Sequence, residues 1–183
     1  MGTIPTVPTF PAGYVAQGAQ LAELCTAISW LMSGKPLTRL TQGTAQSFTS
    51  GTAAAVTWDT KIVDRDSGWS SSHTTRYTAQ TPGYYQLAAG VSFASNTTGA
   101  RLAYFQVTTG SNNPAGPGVT TAFCRPSVPG AGLTTGVTLE SLTPYLYDLD
   151  YVEVYAEQNS GGALSTAVTG TTPSFFTISL ASG

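Results

Sequence analysis

Thr81-Pro82-Gly83-Tyr84-Tyr85-Gln86-Leu87-Ala88-Ala89-Gly90-Val91-Ser92-Phe93 is the stretch whose reading decides the fold. Pro82-Gly83 is a turn signal, because proline pre-sets φ and glycine accepts positive φ. Behind it, Tyr85, Leu87, Ala89, Val91 and Phe93 fall on every second position. That is the period of a β-strand with one face buried. Asn96-Thr97-Thr98-Gly99 signals the next turn, and Arg101 to Val107 reads as a returning strand. With Thr75-Arg76-Tyr77 upstream, the stretch from Thr75 to Val107 predicts an antiparallel hairpin at the centre of a sandwich.

The same pattern continues on both sides. Phe48, Val56 and Trp58 surround a Gly51-Thr52 turn, and Ile62-Val63 precedes a loop, Asp64-Arg65-Asp66-Ser67-Gly68. Val119 to Phe123 and Val137 to Leu142 read as strands, with the unpatterned Gly110–Gly118 segment before them as an exposed loop. In Tyr151 to Gln158, Val152, Val154 and Ala156 share a face. Gly161-Gly162 and Gly170 to Pro173 bracket another short strand, and Phe176, Ile178 and Leu180 close the chain on one face. About eight to ten short strands at regular spacing predict an all-β antiparallel sandwich or jelly roll.

The N-terminus differs. Pro5, Pro8 and Pro11 give residues 1–15 an extended arm, and Ile4, Val7, Phe10 and Tyr14 suit docking. Residues 17–33 are the one convincing short α-helix. Leu21, Leu24, Cys25, Ile28, Leu31 and Met32 make an apolar stripe, and Gly34 with Pro36 stops it. Leu21, Leu24, Ile28 and Leu31 also fit two heptads. The stripe can pack on its own sandwich, on two further copies, or on another protein.

Composition narrows the chemistry. Charged residues are 9% of the 183, against about 25% in typical soluble proteins. The hydrophobic fraction of 41% still supplies a core. Net charge is −2 with seven basic residues, so no basic patch for nucleic acid can be assembled, and no basic amphipathic helix for a membrane surface is present. Met1 to Pro11 carries no basic leader, so synthesis in a cytoplasm without a signal peptide is expected. Cys25 and Cys124 read as two buried free thiols.

No catalytic set stands out, and neither a metal nor a cofactor is expected. His73, the one histidine, sits in Ser70-Ser71-Ser72-His73-Thr74 and reads as a solvated loop residue. Asp64-x-Asp66-x-Gly68 echoes half a calcium loop but lacks the later acidic ligands, so it reads as a turn capped by its own aspartates. Asp148 and Asp150 read the same way. Nothing selects a carboxylate pair for glycoside chemistry.

The Pro82-Gly83-Tyr84-Tyr85 turn and its alternating strand resemble the central motif of jelly rolls of the tumour necrosis factor and complement globular-head kind. Asp150-Tyr151-Val152-Glu153-Val154 and Phe175-Phe176-Thr177-Ile178-Ser179-Leu180 resemble two later strands of that family. Leu149 and Thr177 stand where the family usually has glycine. The resemblance implies a homotrimer around a threefold axis. By position, Ala88, Leu139 and Phe175 would line that axis, with Ala88 and Gly90 as small residues allowing close approach. Phe175 faces opposite to Phe176 and needs a partner.

The leader Ile4-Pro5-Thr6, Ala12-Gly13, Leu21 and a helix ending before Lys35-Pro36 resembles that of virion proteins from tailed phages of actinobacteria. It implies two units, an anchor over residues 1–36 and a jelly roll over 37–183. The implied role is a non-enzymatic, homotrimeric capsid decoration or minor capsid protein on the virion surface. It would hold the major capsid protein or other virion proteins through Ile4, Val7, Phe10, Tyr14, Leu21, Leu24, Ile28 and Leu31. One alternative is a minor tail or fibre-tip protein binding host-surface glycans through Trp69, Tyr77 or the Gly110–Gly118 loop. Another is a carbohydrate-active enzyme on a jelly roll.

Overall fold

The computed structural model describes residues 4–13, 15, 17–168 and 173–183. Tyr14 and most of the Gly170–Pro173 segment lie outside them. The chain passes from helix α1 (Gly18–Ser29) through one π-helical turn (Trp30–Gly34) into strands β1 (Leu37–Thr41), β2 (Ser47–Phe48), β3 (Ala54–Ala55), β4 (Thr60–Asp64) and β5 (Arg76–Thr78). β6 (Tyr84–Phe93), β7 (Ala100–Thr108), β8 (Thr120–Phe123), β9 (Ser127–Pro129) and β10 (Thr135–Leu142) follow. β11 (Tyr151–Gln158), β12 (Leu164–Ser165) and β13 (Phe175–Ser182) complete it. No described helix is long and apolar enough to cross a membrane.

Two antiparallel sheets face each other. One has the order β10-β6-β13-β1-β4; the other has β3-β11-β7-β8, with β5 also on β11 and β9 on β7. A ribbon of β12 and β2 lies beside them. The architecture is the all-β jelly-roll sandwich that the strand pattern predicts, with the helix in front.

The central hairpin is corrected. β6 pairs with β10 and β13, whereas β7 pairs with β11, β8 and β9. Asn96–Gly99 therefore carries the chain from one sheet to the other instead of folding two partners together. Each strand still buries every second residue, because both inner faces look into one core. Gly83 shows why the turn before β6 is glycine: its φ is +153°, and a Cβ there would sit 2.4 Å from the Ser182 carbonyl oxygen.

The core lies between the sheets. Tyr85, Leu87, Ala89, Val91 and Phe93 of β6 meet Phe105 and Val107 of β7, Val152 and Val154 of β11, and Phe176, Ile178 and Leu180 of β13. Trp58 is fully buried and stacks on Phe176 with ring centroids 6.0 Å apart. Each such side chain contributes about 1.5–3 kcal/mol on leaving water.

Arg101, at the start of β7, is also fully buried. Its guanidinium donates to the carbonyls of Asn96, Thr98 and Ala100. Burial lowers its affinity for a proton, and backbone dipoles stand in for a carboxylate. The crossover between the sheets is thus wound around one cation.

Candidate assembly surface

The sheet β10-β6-β13-β1-β4 turns one face inward and the other outward. Thr38, Leu40, Phe176, Ile178, Leu87, Ala89 and Leu139 are buried, so by alternation their neighbours form the outer face. Strand register orders that face into rows. One row reads Thr41, Phe175, Gly90, Thr138; the next reads Arg39, Thr177, Ala88, Glu140.

Three of the four expected axis residues meet in this grid: Ala88, Gly90 and Phe175. Leu139 does not. It is 3% exposed and belongs to the core, because Val137 and Leu139 occupy the inward phase of β10 and leave Thr138 and Glu140 outside. That phase was readable from the apolar alternation of Val137 and Leu139.

Phe175 is half-buried because its ring lies over Gly90. A Cβ on Gly90 would come within 2.7 Å of the Phe175 ring. Beside the ring, Arg39, Thr41, Ser92, Gly136 and Thr138 help to line an open concavity of about 480 Å³. Among the outward residues of β1, β13, β6 and β10, only Arg39 and Glu140 carry charge.

The helix presents a second surface. Its apolar stripe points away from the sandwich: Leu21 is 49% exposed, Ile28 46%, Leu31 62% and Met32 76%. Of the stripe, Leu24 alone is half-buried. The helix is fixed instead by Ala27, which is buried, and by Trp30, which packs against the core. Packing of the stripe on its own sandwich is therefore not what the chain does. The arm lies along the helix, Pro5 and Thr6 sharing a shallow concavity with Ala22, Glu23 and Thr26. Val7 and Phe10 stay exposed, as does Ile4, although Ile4 lies against Gly183 at the chain's other end.

The thiols are free but not buried as a pair. Cys25 is exposed on the outward side of the helix, and Cys124 is half-buried at the end of β8, its Sγ donating to the Glu140 carbonyl. The reason is again the helix's attachment through Ala27 and Trp30.

The remaining sequence candidates serve structure. Asp64 accepts from Thr38 Oγ1, Gly68 N and Trp69 N. Asp66 accepts from the Tyr77 hydroxyl; burial, together with the nearby Asp64, pushes its carboxyl up against that bond. Asp150 is fully buried and accepts from Gly110 N, Asn113 Nδ2 and Tyr147 N, which clamps the Gly110–Gly118 loop to the start of β11. Tyr77 is fully buried, so it is not available to stack on a sugar. Trp69 is half-buried, with its indole donating to the Thr74 carbonyl. His73 is exposed, with Nδ1 3.2 Å from Ser72 Oγ. Among the described residues no cluster of three potential metal ligands occurs.

No family model and no curated protein matches the sequence. Solved structures do match the fold. Murine APRIL at pH 8.0 superposes with a TM-score of 0.59 at 12% identity, over 79% of this chain and 98% of that one. The same protein at pH 5.0 gives 0.59 at 12%, over 80% and 99%. The fold is a tumour-necrosis-factor-like jelly roll. The matching share is close to the extent of the sandwich. At this identity the likeness carries the fold alone.

Proposed function

We propose that this chain is a structural protein of a phage virion: a homotrimeric capsid decoration or minor capsid protein whose sandwich projects while its arm and helix grip the shell. The observation that carries this reading is the outward apolar stripe of α1, continued by Val7 and Phe10 of the arm. A monomer leaving Leu21, Ile28, Leu31 and Met32 in water forfeits the burial that ordinarily holds a surface helix in place. Such a stripe fits an apolar groove on the major capsid protein or another virion protein. The outer sheet face, small-residued and nearly free of charge, supports the trimer. The Thr- and Ser-rich remainder suits a solvated exterior with no catalytic duty.

The test is attachment to particles. Virions made from the genome that encodes the chain should carry tens to hundreds of copies on the head, counted by quantitative gel and located by electron microscopy. The variant Ile28→Asp/Leu31→Asp should fold with an unchanged far-ultraviolet spectrum yet be lost from particles, because both side chains are substantially exposed, at 46% and 62%. A chain absent from particles, or a variant retained at full copy number, overturns the reading.

A further inference from the structure

Among the outward residues of β1, β13, β6 and β10 the two charges have opposite signs and stand three strands apart in one row, with Val63 of the edge strand β4 beyond Arg39. Register places Arg39 of β1, Thr177 of β13, Ala88 of β6 and Glu140 of β10 side by side. Three strand spacings of about 4.8 Å put their backbones about 14 Å apart. Both side chains are exposed, and neither has a hydrogen-bond or ion-pair partner among the described residues; the ion pair seen among those residues joins Arg125, between β8 and β9, to Glu157 of β11. Between them lie a threonine and an alanine, and Arg39 also stands at the concavity beside Phe175.

We infer that this row is the docking code between copies: Arg39 of one copy pairs with Glu140 of the next, over the small residues of the shared face. The inference rests on the trimer reading and deepens it. A ring of three needs two different patches on each subunit, one facing forward and one backward. A row that is positive at β1 and negative at β10 supplies both, and the small Thr177 and Ala88 between them leave room for a neighbouring copy to approach. Like charges brought together at such an interface oppose docking, so the pair fixes direction and register more than it adds strength. Phe175, one row away, supplies the apolar contact that Arg39 and Glu140 align.

A charge exchange tests this on the full chain. Wild type is weighed by light scattering at micromolar concentration, beside Arg39→Glu, Glu140→Arg and the double variant. Both positions are exposed, so circular dichroism should be unchanged in all three. The expected result is loss of trimer mass in each single variant, a tenfold or greater rise in the concentration needed for assembly, and recovery in the double variant. Trimer mass retained in the single variants, or none regained in the double, overturns the pairing and leaves the trimer standing. A monomeric wild type overturns both.

Discussion

Leu149 has a backbone at φ +72°, in the left-handed region that β-carbons resist. The resembled pattern usually carries glycine at this point, a residue that takes a positive φ without strain. The position is held by Leu149 N donating to the Ala79 carbonyl and by the close approach of Gly110 to the Leu149 carbonyl. The leucine is 42% exposed, so its removal forfeits little burial. Leu149→Gly is therefore expected to stabilise the fold by about 0.5–1 kcal/mol, the relief of left-handed strain less the added freedom of the unfolded chain. Urea unfolding measures it; a lower midpoint would mean that the side chain's packing outweighs the strain. At this scale much was legible. The alternation set Phe176 inward and Phe175 outward, and Asp64 caps its own turn as expected, whereas Asp66, Asp148 and Asp150 bond chiefly to distant partners. Leu139 was misplaced because a family position overrode the phase of its own strand. Arg39 and Glu140 went unremarked because a single charge on a predicted strand says nothing until register aligns it with another.

Elements are joined by buried hydroxyls as well as by apolar area. Tyr77 of β5 and Tyr85 of β6 lie 5.8 Å apart, the first bonded to Asp66 and the second to the Thr81 carbonyl. Burial pushes the Tyr85 phenol up to about 12, and burial also raises Tyr77. An unfolded phenol ionises near 10. The folded state therefore favours the protonated form: this contribution is complete below pH 10 and is lost as pH rises through 12. Two pH units at about 1.4 kcal/mol each make the loss about 3 kcal/mol, half of it gone by pH 11. Tyr85→Phe should be about 1 kcal/mol less stable at pH 8, having lost one hydrogen bond, and should show a shallower decline between pH 10 and 12. Equal slopes for wild type and variant would place the alkaline sensitivity elsewhere. Sequence reading recovered most strands but not which sheet each joins. Asn96–Gly99 has turn chemistry that suits a hairpin and a crossover alike, and the choice is made by long-range partners: β10 and β13 for β6, β11 for β7. β9 was missed because Ser127-Val128-Pro129 is too short for periodicity and ends in proline, tolerable only at an edge.

The described residues present two unlike surfaces, an apolar helix stripe and a four-strand sheet face over β1, β13, β6 and β10 with one charge of each sign. The change from helix to strand before Leu37 was legible from a change of period. The outward aim of the stripe was not, since a helical repeat shows which residues share a side but not what that side faces. The row from Arg39 to Glu140 has a consequence of parity. Mix Arg39→Glu chains with Glu140→Arg chains in equal amounts. One kind then bears two negative ends and the other two positive ends. Around a closed circle with an even number of members they can alternate, and every junction is satisfied. Around a circle of three they cannot: some neighbour must be of its own kind, and one junction stays repulsive. A mixture that restores dimers or tetramers, but never a stable three, would be the electrostatic signature of the proposed ring of three. A fully restored trimer would show that the two charges do not meet across the junction.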